Sequence, residues 1–225
     1  MIQAKNVSLT YADGTVALRD VSLNIRPGEF VYIVGPSGSG KTSLLKLLMG
    51  IEFPSAGSLY VMDQPIVKRE AGRIRKLRRS IGPVFQEFRL IQGRTALENV
   101  LMGMRFLNIP NRQMVNSAKE ALTKVGLGHK ASVMVEKLSF GEAQRVAIAR
   151  AVARKPALIL ADEPTGNLDY DNAINIMDLL YTLKDKNTTV LVTTHATHLI
   201  GNYHDTSLIH VEQGKISVEH RGEQK

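Results

Sequence analysis

Apolar residues recur along this chain with two different spacings, one typical of strands and one of helices. Near the start, two segments alternate apolar and polar positions as half-buried strands do, Ile2–Thr10 and Val16–Ile25. Phe30–Val34 is apolar throughout, which predicts a strand covered on both faces. From Ser43 to Met49 the apolar positions follow helical spacing and end at Gly50. The N-terminal part therefore predicts β-strands followed by a first helix.

The middle of the chain shows only helical patterns. Two capping boxes of the form S/T-x-x-E begin at Thr95 and Ser139 and predict helix starts there. We expect the first of these helices to run to about Leu107 and the second to cover Ala143–Arg154. A third helix is predicted between them, over residues 112–125. These helices would form an all-helical insert.

Strand patterns return after this insert, which we place at residues 87–154. We expect a buried strand over Ala157–Ala161, a helix over Asn172–Lys184 and another strand over Thr188–Thr193. A closing hairpin is expected from the two strands Ser207–Val211 and Lys215–Val218. The pattern therefore predicts a sheet of buried strands that is interrupted in sequence by a helical insert.

A glycine-rich segment separates the strand Phe30–Val34 from the first helix. It reads Gly35-Pro36-Ser37-Gly38-Ser39-Gly40-Lys41-Thr42, the P-loop pattern G-x-x-x-x-G-K-T in its required strand–loop–helix context. Such a loop turns backbone N–H groups onto phosphate oxygens. Lys41 can reach the β- and γ-phosphates, and the Thr42 hydroxyl can bind Mg²⁺. The alternative is a glycine-rich turn before an ordinary helix; the Lys-Thr ending and both flanks favour the phosphate loop.

Two adjacent carboxylates, Asp162 and Glu163, follow the buried strand that ends at Ala161. Carboxylates at the end of a buried strand are costly unless a cation lies nearby, and a Mg²⁺–nucleotide complex supplies one. Asp162 would hold the metal, and Glu163 would orient and polarise the attacking water. Neighbouring strand residues do not face each other across a substrate, so a glycosidase-like pair fits poorly. A simple turn at Pro164 is the other alternative.

Composition and charge narrow the function classes. The 225 residues are 44% apolar and 22% charged, as in globular proteins, and contain no cysteine, which excludes disulfides and thiolate metal sites. Met1–Asn6 lacks an apolar signal region, and no apolar stretch approaches the ~20 residues that cross a bilayer.

The net charge of +8 is concentrated between Lys68 and Arg79, where seven residues are basic. Anionic lipid, nucleic acid and an acidic partner are possible ligands of such a cluster. A solvated helix face is the interpretation we favour, because no aromatic residues interleave the basic ones as single-strand binding would require.

These motifs, with several others, resemble those of the ATP-binding-cassette (ABC) ATPases, and the resemblance covers nearly the whole chain. The family's motifs occur in its order: an adenine-stacking aromatic at Tyr11, the P-loop at Gly35–Thr42, the Q-loop glutamine at Gln86, the signature at Leu138–Glu142, the two carboxylates Asp162 and Glu163, the D-loop Asn167–Asp169 and the switch histidine at His195. Within the family, the chain is most similar to ATPases that act in bacterial cell division.

The resemblance implies a fold and a domain organisation. The fold would be α/β, with a P-loop NTPase (RecA-like) core of mainly parallel strands, an N-terminal antiparallel β subdomain and an inserted α-helical subdomain. Residues 1–225 would form a single nucleotide-binding domain, with the core over 1–86 and 155–225 and the helical subdomain over 87–154.

The resemblance also assigns roles to single residues. Glu163 and His195 would be catalytic, and Thr42, Gln86 and Asp162 would hold Mg²⁺. ATP would contact Tyr11, the eight P-loop residues, Gln86 and Asp169 and, from the opposite copy of a homodimer, the signature residues Ser139, Gly141 and Glu142. The position of Ser139 at a predicted helix N-cap also indicates an anion site independently of the resemblance, because the hydroxyl and the adjacent amides of an N-cap can bind an anion. A plain helix cap is the alternative.

Two positions depart from the family pattern. Phe140 stands where the family usually has glycine, which puts a bulky ring beside a close phosphate contact. Ala196 follows His195 where relatives commonly carry aspartate. His195 could instead be a surface histidine or, with His198, part of a metal site, although two histidines alone make a weak case.

The implied function is that of an ATPase on the cytoplasmic face of the cell membrane. It would form a homodimer on binding ATP and partner an FtsX-like integral membrane protein that controls cell-wall hydrolases. The alternatives are the ATPase subunit of a lipoprotein-release or macrolide-export transporter and an ATP-binding scaffold with little hydrolysis. A nucleic-acid-binding protein is a weaker alternative that rests on the basic cluster.

Overall fold

The structure, a computed structural model, describes residues 1–200 and 205–221. The described residues form ten strands: β1 (Ile2–Thr10), β2 (Val16–Ile25), β3 (Phe30–Val34), β4 (Ala56–Val61), β5 (Gln64–Pro65), β6 (Ile81–Val84), β7 (Leu158–Asp162), β8 (Thr189–Thr194), β9 (Thr206–Glu212) and β10 (Lys215–Arg221). They also form six α-helices: α1 (Lys41–Leu48), α2 (Ala71–Arg79), α3 (Ala96–Met102), α4 (Asn111–Lys124), α5 (Phe140–Val152) and α6 (Tyr170–Thr182).

The chain divides into two compact units. The first unit comprises residues 1–78 and 184–225, and the second comprises residues 79–183. The first unit contains an antiparallel sheet in the order β2-β1-β4-β5. Its alternation follows the sequence pattern, since Ile2, Val7 and Leu9 are buried while Gln3 and Lys5 are exposed.

The first unit also contains strands in the order β10-β9-β3-β8. β3 pairs in parallel with both β8 and β9, and β9 and β10 form an antiparallel hairpin. Every residue of β3 and β8 is buried, as parallel strands covered on both faces require. The predicted α/β fold with mainly parallel strands and a separate antiparallel sheet is confirmed.

The second unit is built around α5. β6 and β7 pair in parallel, and α5 packs against α3, α4, α6 and β6. Its small residues Ala143, Ala147 and Ala151 are buried, which lets neighbouring elements approach the helix axis closely. α5 therefore connects the helical part of this unit to its strands.

Most elements predicted from the sequence are present, but α3 is shorter than expected. It ends at Met102 instead of about Leu107, because the chain beyond Gly103 continues in tight turns. The N–H groups of Met104 and Leu107 bond to carbonyls three residues earlier instead of continuing the helical ladder. The prediction for its C-terminus was therefore wrong, whereas the capping box at Thr95 is confirmed.

The basic cluster lies on α2 and on the short turn that precedes this helix. Ile74 and Leu77 are the buried residues of α2, so its basic side chains cover the opposite, exposed face. Arg73 pairs with Glu70, and Arg78 donates to the carbonyl oxygens of Met49 (3.0 Å) and Gly50 (2.6 Å) at the C-terminus of α1. Arg78 thus caps a helix whose last carbonyls would otherwise need water.

Removing this cap should lower stability. We expect Arg78→Ala to reduce the free energy of unfolding by about 1 kcal/mol, because two charge-assisted hydrogen bonds at a partly exposed site are lost. Urea unfolding measures the change. Arg75→Ala, an exposed residue on the same helix, is the matched control and should leave the midpoint unchanged. Equal midpoints for the two variants would contradict the capping role.

Candidate functional site

The predicted phosphate loop connects β3 to α1 in the first unit. The side chain of Lys41, the first residue of α1, is almost fully buried, and its ammonium group donates to the carbonyl oxygens of Gly35 (2.8 Å) and Pro36 (3.0 Å). The loop thus closes around its own lysine. A lysine held within a glycine-rich loop at the start of a helix is an arrangement that suits a polyphosphate.

The start of the loop packs tightly on β9. A Cβ atom added at Gly35, whose φ is +157°, would lie 2.1 Å from the carbonyl oxygen of Val211, so no other residue fits there. The hydroxyl of Ser39 is buried and makes no hydrogen bond to any described residue. A buried hydroxyl without a partner is unfavourable, and a phosphate oxygen would satisfy it. The residues of the loop therefore fit a phosphate group.

Tyr11 lies beside the beginning of α1. Its hydroxyl is 3.0 Å from the Ser43 hydroxyl oxygen, and the ammonium nitrogen of Lys46 lies 5.9 Å from the centre of its ring. A five-residue turn after β1 holds its backbone, with the Tyr11 N–H bonded to Thr15. The half-buried ring is thus held beside Ser43, the residue that directly follows the phosphate loop.

His195 leaves the sheet at the same edge as the phosphate loop. In the parallel pairing of β3 and β8, Val34 lies opposite Thr194, so Gly35 and His195 begin adjacent segments. The Thr194 hydroxyl accepts a hydrogen bond from the Ala196 N–H (3.0 Å), which turns the chain at this point. His195 is exposed. The strand register thus places it beside the loop that its predicted role requires.

Gln86 and the carboxylates follow two paired strands at one edge of the second unit's sheet. Val84 of β6 lies opposite Ala161 of β7, so the chain reaches Gln86 and Asp162 at the same end of both strands. The side-chain amide nitrogen of Gln86 lies close to Gly166, because a Cβ atom added at Gly166 would be 3.0 Å from that nitrogen. Glu163 follows with φ +43°, a conformation that is unfavourable for a residue with a side chain.

A buried glutamine of α5 holds the segment after Glu163. Gln144 is fully buried, and its amide donates to the carbonyl oxygen of Pro164 (2.7 Å). Gln144 could not be identified from the sequence, because a glutamine within a helical pattern is typical of an exposed position. The contact fixes the loop that carries the catalytic carboxylate predicted from the sequence.

The predicted anion site at the start of α5 has the geometry of a full capping box. The Glu142 N–H donates to the Ser139 hydroxyl (3.3 Å), and the Ser139 N–H donates to the Glu142 carboxylate (3.1 Å). Since the hydroxyl oxygen accepts the internal bond, its proton can be donated outward. The structure thus shows the helix cap, and the cap does not use the hydroxyl proton of Ser139.

Lys130 forms an ion pair with Glu142 and changes the charge at this helix end. The hydrogen bond from Lys130, followed by that from the Ser139 N–H, holds the pKa of Glu142 below its ordinary value. A bare carboxylate at a helix N-terminus would repel an anion, and the ammonium group offsets that charge. No pattern in the sequence pointed to Lys130, which lies in a short turn far from the motif.

The D-loop residue Asp169 is the N-cap of α6. It accepts hydrogen bonds from the backbone N–H (2.9 Å) and side-chain amide (2.7 Å) of Asn172, and the backbone bond is the main reason that the pKa of Asp169 is lowered. Gly141 lies against the same asparagine, because a Cβ added at Gly141 would be 3.2 Å from its side-chain oxygen. The glycine therefore lets the starts of α5 and α6 approach within one chain, a reason that the sequence did not indicate.

Comparison with known proteins gives this arrangement a family. Residues 18–166 match the ABC transporter family. The chain belongs to that family. It is 40% identical over 216 residues to the cell division ATP-binding protein FtsE of Streptococcus pneumoniae (serotype 2, strain D39), and the match covers 96% of this chain and 94% of that protein.

Solved ABC cassettes have the same fold. The dimeric structure of MJ0796, a bacterial ABC transporter cassette, superposes with a TM-score of 0.86 at 37% identity and covers 99% of this chain and all of that one. The same cassette in a post-hydrolysis state bound to ADP and phosphate superposes with a TM-score of 0.85. The predictions of an ABC fold, of similarity to FtsE and of ATPase activity are confirmed, and this ABC ATPase binds ATP.

The alternative metal site at His195 and His198 gains no support. The described ranges 1–200 and 205–221 of the ABC ATPase contain no group of three or more histidine, aspartate or glutamate residues placed to hold a metal ion. Within the same ranges no helix has the length and apolar character that crossing a bilayer takes.

The Lys130–Glu142 pair predicts a pH dependence of stability. Because the folded pKa of Glu142 lies below its ordinary 4.5, the carboxylate stabilises the fold above pH 4.5 and loses this contribution as the pH falls through the folded value. Lys130→Met removes the main cause of the shift. The free energy of unfolding should therefore be lower than in the wild type by up to about 1 kcal/mol above pH 4.5, with the difference shrinking at lower pH.

Urea unfolding of both proteins across this pH range measures the difference. Lys119→Met, which removes an exposed lysine of α4, is the matched control and should show no pH-dependent difference. A Lys130→Met effect that is constant with pH would contradict the pairing as its cause.

Proposed function

We propose that this ABC ATPase is the ATP-hydrolysing subunit of a bacterial cell-division complex. It forms a homodimer on binding ATP and passes the conformational change to an FtsX-like integral membrane protein that controls cell-wall hydrolases. The identity with FtsE over nearly the full length of both chains supports this proposal. The protein would act on the cytoplasmic face of the membrane, held there by its partner, and would need no nucleic acid.

The nucleotide part of the proposal depends on the phosphate loop. Its buried, unsatisfied Ser39 hydroxyl is the single observation that most directly supports a bound phosphate. Gly35–Thr42 would bind the phosphates and Tyr11 would stack on adenine. Thr42, Gln86 and Asp162 would hold Mg²⁺, which neutralises charge on the γ-phosphate when bound. Residues 1–86 and 155–225 would form the core of one cassette domain, and residues 87–154 its helical subdomain.

Glu163 and His195 would carry the hydrolytic step. The Glu163 carboxylate would accept a hydrogen bond from the attacking water and orient it for in-line attack on the γ-phosphate. Its left-handed backbone and the Gln144–Pro164 bond restrict where that carboxylate can point. His195, at the edge defined by the Val34–Thr194 register, would bind the γ-phosphate oxygens.

The second half of each site would come from the partner copy. Ser139, Gly141, Glu142 and Asp169 would approach the ATP held by the phosphate loop of the other protomer. The Ser139 hydroxyl proton, which the capping box does not use, and the charge offset from Lys130 support this role. The dimeric structure of the related cassette MJ0796 supports the symmetric arrangement.

The membrane partner would dock on the helical subdomain. An apolar groove of about 490 Å³ lies along α3 and α4, with arginines at its rim; it is lined by Leu101, Met102, Arg105, Asn111, Arg112, Met114, Val115 and Asn116. Methionine-rich apolar grooves accept amphipathic helices. We propose that a cytoplasmic helix of the membrane protein, with acidic residues at its edges, fills it.

The Glu163→Gln variant tests the enzymatic proposal. It should bind ATP and accumulate as a nucleotide-bound dimer in analytical ultracentrifugation, while its turnover falls by a factor on the order of 10² or more, as for loss of a general base. The change is isosteric, so folding is preserved. Turnover equal to that of the wild type would remove Glu163 from its role.

Lys41→Ala is the companion variant for binding. It should weaken ATP affinity and prevent the dimer, because the cation beside the phosphates is lost. Unchanged affinity would contradict the phosphate loop as the ATP site. If the wild-type dimer, with and without its membrane partner, shows no turnover, the protein is an ATP-binding scaffold instead.

Purification from membranes tests the partner. Met114→Glu places a charge in the groove and should abolish co-purification of the membrane protein, whereas Gln113→Glu, an exposed neighbour outside the groove, should not. Mass spectrometry identifies the captured protein. An FtsX-like protein supports the proposal, and a lipoprotein-release or macrolide-export subunit would replace it with the transporter alternative.

A further inference from the structure

Two phenylalanines of the second unit contact each other beside the proposed partner-facing site. Phe140 is the first residue of α5 and directly follows Ser139, yet its side chain is 65% exposed. Its ring meets that of Phe88 edge to face, with centroids 6.0 Å apart and planes inclined by 66°. Such geometry is favourable for aromatic pairs. The exposed ring of Phe140, next to the proposed anion site, is therefore held by contact with the ring of Phe88.

The position of Phe140 makes its orientation important. The backbone N–H groups of Phe140 and Gly141 make no hydrogen bond to the described residues, as is usual for the first turn of a helix. Together with the Ser139 hydroxyl they form the donor set that a phosphate oxygen would use. A first-turn side chain has no preceding helical turn to restrict it, so the ring could swing across these donors. There it would exclude the anion, since a phenyl ring offers no hydrogen bond.

Phe88 is held in place by α5 itself. Phe88 and Arg89 both have positive φ, +57° and +50°, a conformation that two successive residues with side chains rarely adopt. The guanidinium group of Arg150 donates to the carbonyl oxygens of both residues, at 2.5 Å each. Arg150 is buried enough that desolvation, followed by the charge of Arg89, lowers its pKa. The segment after Gln86 is thereby fixed to the helix that begins at Phe140.

We infer that Phe88 is a positioning residue that holds the Phe140 ring to the side of the α5 N-terminus. The ring contact keeps the donors of Ser139, Phe140 and Gly141 open to the γ-phosphate of the partner copy. This inference rests on the proposed composite site. It also means that the ring of Phe140 contributes nothing favourable to that site, and that Phe88 is needed only because Phe140 is present.

A dependence of this kind has a distinct genetic pattern. Losing Phe88 releases the ring and obstructs the site, whereas losing Phe140 removes the obstacle. The double variant should therefore resemble Phe140→Ala and not Phe88→Ala. A merely structural role for the aromatic pair would make the two single variants equally harmful.

The test measures ATP-driven dimerisation in the full-length Glu163→Gln protein, where hydrolysis does not interfere. The readout is the ATP concentration that gives half-maximal dimer in analytical ultracentrifugation. Phe88→Ala should raise it roughly three- to tenfold, the range to which the energy of an aromatic contact converts. The Phe88→Ala/Phe140→Ala double variant should match the Phe140→Ala single variant, because the contact of Phe88 has no ring to hold once Phe140 is lost.

Controls separate the possible failures. Phe106→Ala removes another exposed phenyl ring of the second unit and should have no effect. Phe88→Leu keeps apolar bulk and should give an intermediate value, which keeps the test decisive if Phe88→Ala folds poorly. An unchanged value for both Phe88 variants, or a double variant as impaired as Phe88→Ala, would overturn the inference. If the Glu163→Gln protein itself forms no dimer with ATP, the proposed composite site fails instead.

Discussion

The parallel pairing of strands within each unit is the constraint on which the rest of this protein depends. In the first unit, Val34 opposite Thr194 brings the phosphate loop and His195 out at one edge. In the second, Val84 opposite Ala161 does the same for Gln86 and the carboxylates. Parallel strands present their carboxyl ends together, so residues far apart in sequence converge without any long loop. A one-residue slip of either pairing would shift these residues along the strands and turn their side chains to the opposite face of the sheet.

α5 adds a second constraint, because one helix both positions the site and contributes to it. Its alanine-rich body is buried among α3, α4, α6 and β6, which fixes the direction of its N-terminus. Its side chains then reach two loops of the second unit, Gln144 to Pro164 and Arg150 to Phe88 and Arg89. The capping carboxylate of Glu142 stabilises the helix start but opposes an anion there. The ion pair with Lys130 resolves this conflict.

Local patterns were enough to predict the elements that carry the motifs. β1, β2 and β3 were predicted residue for residue, because their alternation or continuous apolarity is strong. The short strands β4 and β6 were missed, since Gly57 in the first and Gly82-Pro83 in the second are typical of turns. Tertiary pairing makes these segments extended, and no local preference reveals that. The helix α2 was seen only as a charge cluster, because it has just two buried residues.

The site shows the same division between motif and environment. The motif residues could be named from the sequence, since their order is specific. Their supports could not: Lys130, Gln144 and Arg150 act through contacts with residues 12, 20 and more than 60 positions away. The reason for Gly141, its approach to Asn172, likewise exists only once α5 and α6 are packed. Sequence thus identifies the groups that meet the ligand better than the groups that orient them.

The energetics of the segment after Gln86 explain how Phe88 can hold the ring of Phe140. Two successive residues in the left-handed region cost about 1–2 kcal/mol each. Two hydrogen bonds from the Arg150 guanidinium return about 1.5–3 kcal/mol each, less what burial of that cation takes away. An edge-to-face contact of about 0.5–1.5 kcal/mol is weaker than these hydrogen bonds, so Arg150 holds Phe88 in place and Phe88 in turn holds the ring of Phe140.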